Sequence, residues 1–211
     1  MAALQIIGVP QSNFVRVVRM AAHEKGVPYE FISAPPHSPE VKEIHPAGKI
    51  PVMRHGDVTL FESRAIAHYI DEHFEGPPLT LGDKHLDAKV EQWISYVTTV
   101  SDQLLVRRYL FAYVFPKTAD KKPDRPLIEE LLPAVAREIE VLDGAINANG
   151  FLVGDRFSLA DMYLLPIVHF ARRLPETGEM IAKSKNLARY YERHKERESF
   201  KATEAPARKA A

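Results

Sequence analysis

The sequence predicts a small α/β unit followed by an all-helical half, and three observations carry that prediction. Strand-like and helix-like runs alternate in βαβ–ββα order up to about residue 75. A Gly76-Pro77-Pro78 break then opens a linker reaching about Lys84. Beyond it no convincing strand pattern appears, and the apolar residues recur at helical spacing. The expected domains are therefore 1–75, a linker at 76–84, and a helical domain over 85–211. With 211 residues the chain can bury a substantial core, and length alone allows one or two domains.

Leu4–Ile7 reads as a short apolar strand stopped by Gly8 and Pro10. From Phe14 the spacing turns helical through Val17, Val18, Ala21 and Ala22, with Gly26 as the C-cap. Val27–Ile32 gives a second strand, parallel to the first because a helix joins them. A proline-rich loop (Ser33–Pro39) and a short helical turn (Glu40–Ile44) follow. Val52–Arg54 and Val58–Phe61 flank His55-Gly56-Asp57 as a hairpin. The next helix starts at Glu62-Ser63 and carries Ile66, Tyr69, Ile70 and Phe74 on one face. In the second half, Asp87 to about Phe115 is one long helix with a stripe of Trp93, Tyr96, Val97, Val100, Leu104 and Leu105. Pro116–Pro126 breaks the chain, and Leu127–Ala148 is helical, with Pro133 either kinking it or marking its start. Ser158–Asp161 has the form of a capping box, with Asp in place of Glu or Gln. A last helix spans Asn186–Arg197, and Ala202–Ala211 reads as a frayed tail.

Composition removes several functions. The 28 basic and 28 acidic residues cancel, and no block of like charge dominates, which argues against nucleic acid or an anionic membrane as partner. No apolar run approaches a membrane span, and the N-terminus lacks a secretory pattern, so a cytoplasmic protein is expected. There is no cysteine. That excludes a disulfide scaffold, a thiolate metal site, a Cys nucleophile and a CxxC pair, so any sulfur chemistry must use a sulfur carried by the substrate. The nine histidines lack the spacings of metal motifs; His45 and His55, like His68 and His73, read as surface or packing residues, and no metal is expected.

Three short features carry chemistry, and each also has a plain structural reading. Pro51 belongs at a strand start or edge; if the Ile50-Pro51 bond is cis, Ile50 turns its backbone outward toward a ligand, and if trans it simply opens a strand. Glu62-Ser63 at a helix start can take a carboxylate on free N–H groups and a hydroxyl, with Glu62 facing an ammonium, or can serve only as a cap. Ser12, between the first strand and the first helix, can donate to a ligand sulfur near the helix dipole, or can cap that helix. No GxSxG and no partner histidine mark Ser12 as a triad nucleophile.

Taken together, in this order and spacing, the segments resemble the cytosolic glutathione transferase family. The matches are Pro10-Gln11-Ser12 leading into NFVRVV, then HEKGVPYEF, HPAGKIPV, LFESRAIAHYI, and FSLAD at 157–161. They are strong over residues 4–75 and looser afterwards, and most similar to serine-type phi-like enzymes and their bacterial relatives. The resemblance implies a thioredoxin-like N-terminal domain that binds glutathione and an all-helical domain that contributes an electrophile pocket. Ser12 would hold the thiolate; Ile50, before a cis Pro51, would pair with the cysteinyl backbone; Glu62 and Ser63 would bind the γ-glutamyl end. Lys49 would occupy a neighbouring contact position, and His37 would meet the glycyl carboxylate. The loop aligns Pro36-His37 where phi-type sequences carry a His-Lys pair, and Ala47 stands where the family has an aromatic dimer key. Val9, Asn13, Phe14, Tyr109 and Tyr113 would shape the second-substrate pocket. The implied activity is transfer of glutathione to apolar electrophiles, a detoxification chemistry extending in principle to organic hydroperoxides, by a homodimer with glutathione as co-substrate and no permanently bound cofactor. The alternative is a non-catalytic glutathione- or ligand-binding scaffold on the same fold.

Overall fold

A computed structural model describes residues 3–205, which divide into two compact units. The first contains the chain up to Thr80 together with the segment from Glu196; the second is Leu81–Lys195. In the first unit the elements run β1 (Leu4–Gly8), α1 (Asn13–Lys25), β2 (Tyr29–Ser33), α2 (Pro39–Lys42), β3 (Val52–His55), β4 (Val58–Phe61) and α3 (Ser63–His73). The sheet order is β2-β1-β3-β4. β1 is parallel to β2, as the helix between them requires, and antiparallel to β3, which forms a hairpin with β4. Alternation sorts the side chains. Leu4, Ile6 and Met53 pack with Val18 and Ala22 of α1 and Ile66 and Ile70 of α3, whereas Ile7 and Val52 pack with Ala34 and Val41.

Local chemistry sets the element ends. Ser12 caps α1 from extended backbone, its Oγ accepting from the Val15 N–H. Gly26 ends the helix at φ +75°, and the Val27 N–H is spent on the Ala22 carbonyl. With Val27 used by that cap and Pro28 lacking a donor, β2 starts at Tyr29 rather than at Val27.

Two buried or half-buried charge clusters tie the first unit together. Lys25 Nζ lies 2.8 Å from Asp71 Oδ1, which also accepts the Leu79 N–H, so the C-terminal ends of α1 and α3 and the start of the linker meet on one carboxylate. Arg197 forks onto Glu24 of α1 at 2.9 and 2.7 Å, and Ser199 donates to the same carboxylate. This corrects the C-terminal reading. The expected helix over Asn186–Arg197 is α9 (Asn186–His194), followed by a separate α10 (Glu198–Ala202) packed on α1. Of the expected frayed tail, Thr203 is fully buried with its hydroxyl on the Ser199 carbonyl, while residues 206–211 lie outside the described residues.

The second unit is helical throughout. The long helix begins at Lys84, where Asp83 caps it, and runs as α4 (Lys84–Tyr96), a π-helical stretch (Val97–Leu110) and α5 (Phe111–Val114). α6 (Arg125–Ala145) starts before Leu127 because Asp124 caps the Leu127 N–H and Pro126 fits the first turn; Pro133 lies inside it and does not end it. The capping box forms at α7 (Leu159–Ala171): Asp161 accepts from both the backbone and the hydroxyl of Ser158, and from the Leu152 N–H. A further helix, α8 (Pro175–Lys183), has no counterpart in the sequence reading.

Removing one partner of the buried Lys25–Asp71 pair leaves the other charge uncompensated. Asp71→Ala is expected to lower the unfolding free energy by about 3–5 kcal/mol in urea titrations, and Lys25→Met/Asp71→Leu to recover part of that loss.

Candidate active site

The strand register gathers the three chemical segments at one end of the sheet. Ile7 pairs with Val52, and Val52 with Phe61. Continuing each strand past that row leads to the turn carrying Ser12, to Ile50-Pro51, and to Glu62-Ser63. The approach is close: a Cβ added to Gly8 would lie 3.3 Å from the Ile50 Cβ and 2.5 Å from Val15 Cγ2, so only glycine fits there.

Ser12 is half-buried. Its N–H bonds to the Val9 carbonyl at 3.1 Å, and its cap to Val15 is long at 3.4 Å. Capping uses an oxygen lone pair, so the hydroxyl hydrogen can still be donated to an acceptor. The first turn of α1 contains no acidic residue of its own to offset the positive end of its dipole. Asn13 follows, buried with its Oδ1 lacking a hydrogen-bond partner among the described residues; Val9 and Phe14 are half-buried.

The Ile50-Pro51 bond is cis. Before it, Lys49 is exposed and Gly48 turns at φ +64°. His37 is held over this turn: its N–H donates to the Gly48 carbonyl at 2.8 Å, and its ring occupies the space that a Cβ on residue 48 would need. The loop residue His37 and the turn residue Lys49 are thus brought together. Glu62 has φ +69°, a conformation that costs a non-glycine residue about 1–3 kcal/mol, and its carbonyl accepts the Ile66 N–H at 3.0 Å as α3 begins. Its carboxylate is exposed, and Ser63 behind it is buried. An exposed ammonium at Lys49 and an exposed carboxylate at Glu62 give this end of the sheet opposite charges suited to a zwitterion.

Sequence reasoning missed one residue here. His45, read as surface or packing, is buried beneath the site: its Nδ1 accepts the Ala47 N–H at 3.0 Å, and its Nε2 lies 3.6 Å from Glu62 Oε1. Its position before Pro46 gives no sign of that contact, which exists only because β4 returns beside the turn.

In the helical unit Tyr109 lies in a polar cluster with Glu176. Expected on a pocket wall, it is fully buried, and its hydroxyl donates to Glu176 Oε2 at 2.7 Å. Tyr113 donates to the same oxygen, and Arg125 binds the other at 2.8 Å. Burial alone would raise the Glu176 pKa, but the hydrogen bonds from Tyr113, Tyr109 and Arg125 outweigh it and hold the carboxyl at about 2. Burial and the Glu138 carboxylate push the Tyr96 hydroxyl up to about 12. Among the described residues no cluster of His, Asp or Glu is arranged to hold a metal ion, and no helix is long and apolar enough to cross a membrane.

A four-stranded mixed sheet with a serine at its first helix start, a cis proline opening β3 and an acid–serine pair opening α3 defines a thioredoxin-like domain; a helical unit follows it. Residues 6–78 match the family described as glutathione S-transferase, N-terminal domain, and residues 107–198 match glutathione S-transferase, C-terminal domain. The chain belongs to the glutathione S-transferase family. It is 30% identical to glutathione S-transferase 3 of Zea mays, over 97% of this chain and 95% of that protein. A solved glutathione S-transferase from Methylobacillus flagellatus KT with GSH bound is 25% identical, with a TM-score of 0.78 over 97% of this chain and 100% of that one. A Haemophilus ducreyi protein named as a stringent starvation protein A homolog is 30% identical over 72% of this chain and 66% of its own length.

The Glu176 carboxyl is depressed in the folded state, so its contribution to stability is complete above about pH 4.5 and is lost as pH falls toward about 2. Acid denaturation followed by circular dichroism is expected to show Glu176→Gln less stable than wild type at pH 7, with the difference narrowing between those limits.

Proposed function

We propose that this protein is a glutathione transferase that directs the glutathione thiolate at an electrophilic carbon of apolar substrates. The observation that carries the reading is the convergence, at one end of a single sheet, of the Ser12 cap, the cis Ile50-Pro51 step before β3 and the Glu62-Ser63 helix start. Ile50 pairs its backbone with the cysteinyl unit of glutathione. Glu62 faces the γ-glutamyl ammonium; Ser63 and the first N–H groups of α3 receive the neighbouring carboxylate. Lys49 and His37 meet the glycyl carboxylate. Val9, Asn13 and Phe14 border the electrophile side of Ser12. The regions 1–75 and 85–211 act as the glutathione-binding and electrophile-binding domains of a cytoplasmic homodimer whose interface does not use an aromatic at Ala47.

A free thiol with a pKa of about 8.5 is mostly protonated at pH 7, and each unit of lowering represents about 1.4 kcal/mol of preference for the thiolate. Hydroxyl donation from Ser12 and the positive end of α1 both favour the anion, and the thiol proton goes to water. The sulfur lone pair then forms the carbon–sulfur bond as the leaving group departs with its electron pair. With a hydroperoxide, the same thiolate takes the terminal oxygen, the alcohol leaves, and a second glutathione reduces the sulfenic acid to the disulfide and water. A non-catalytic glutathione- or ligand-binding scaffold on the same fold is the competing reading.

Ser12→Ala is expected to lower kcat/KM for conjugation of a generic electrophile by roughly 10²-fold. It should also move the thiolate absorbance of bound glutathione to higher pH, read by ultraviolet difference titration. Tight glutathione binding with no turnover in either protein would favour the binding-protein reading instead.

A further inference from the structure

We propose that His45 is a positioning residue for glutathione: seated in the turn that presents Lys49 and Ile50, it directs the Glu62 carboxylate at the start of the next helix. The inference rests on the glutathione reading above and assigns a role to a side chain which that reading does not use. His45 is 5% exposed, and its ring lies against Phe61, the residue before Glu62, at 4.7 Å between centroids. Its carbonyl accepts the Gly48 N–H at 2.9 Å, and its Nδ1 accepts the Ala47 N–H at 3.0 Å, so backbone and side chain together close the HPAGK turn. A neutral imidazole that accepts at Nδ1 carries its hydrogen at Nε2. That nitrogen is the one facing Glu62 Oε1, at 3.6 Å.

At this distance the contact is a dipole directed at a carboxylate rather than a hydrogen bond. It acts on a side chain that is otherwise 67% exposed and free to sample rotamers. The strained φ at Glu62 fixes where its Cα sits; His45 biases where its carboxylate points. A single imidazole therefore spans the two halves of the ligand grip, and its loss should weaken glutathione binding without slowing the transfer step.

Two substitutions separate the functions of the two ring nitrogens. His45→Asn keeps an oxygen near the place of Nδ1 and nothing at Nε2; His45→Gln keeps an amide nitrogen near Nε2 and leaves the Ala47 N–H uncapped. Calorimetric titration with glutathione is expected to give a Kd for His45→Asn raised roughly three- to tenfold. KM for glutathione should rise by the same factor, with kcat at saturating glutathione within about twofold of wild type. His45→Gln should bind within about twofold of wild type although its thermal midpoint falls. In a Glu62→Ala background, His45→Asn should change Kd no further. An unchanged Kd in His45→Asn overturns the proposal, as does equal weakening with and without Glu62, or a His45→Gln that binds as poorly as His45→Asn. A wild type that does not bind glutathione overturns the parent reading, and this inference with it.

Discussion

The antiparallel register of β3 against β1 and β4 is the constraint on which the rest of the first unit depends. Ser12, Ile50 and Glu62 belong to three separate segments, and the row Ile7–Val52–Phe61 brings those segments to one edge. The row is held by the core. Ile6 and Met53 face α1 and α3, while Ile7 and Val52 face α2 and its loop, all essentially without exposure. Because side chains alternate, a slip of one residue would exchange these faces and disrupt the packing of both sets. The same burial that makes the sheet stable therefore places the chemical groups, and Gly8 is the point where packing leaves no room for a side chain.

Helix α1 links stability to chemistry. Its N-terminal end carries Ser12, and its C-terminal end carries Lys25 in a buried pair with Asp71 of α3. Along its length, Glu24 holds Arg197 and Ser199 of the terminal segment, and the guanidinium of Arg16 lies 4.1 Å from the Phe200 ring centroid. A helix tied at its far end and along its side presents its first turn in one orientation, which is what dipole-assisted stabilisation of an anion requires. The buried charges of this unit do structural work, whereas the exposed Lys49 and Glu62 stand at the sheet end.

Much of this was legible in the chain because it rests on local rules. Short apolar runs bounded by Gly, Pro or a Gly turn identified each described strand, and period-3.6 spacing most of the described helices; Gly26, Ser158 and Asp161 announced their caps; the order Ser12, Ile50-Pro51, Glu62-Ser63 carried the family resemblance. What escaped depends on groups far apart in sequence. Val27 lay outside β2 because the helix cap claims its N–H. Nothing local reveals that Glu176 lies against the hydroxyls of both Tyr109 and Tyr113. The terminal segment read as a tail because its attachment runs through Glu24, at the opposite end of the chain.

His45 marks the boundary between the two kinds of information. From the chain alone come the mixed fold, the caps of α1 and α7, the absence of cysteine and the serine, proline and acid–serine signatures, since each follows from backbone geometry or residue chemistry within a few positions. The cis geometry of Ile50-Pro51, the pairing of Asp71 with Lys25, the commitment of Glu176 and the approach of His45 to Glu62 required the folded chain. Those depend on distances between segments, and such distances arise only after the two faces of the sheet have chosen their register and buried their apolar sides.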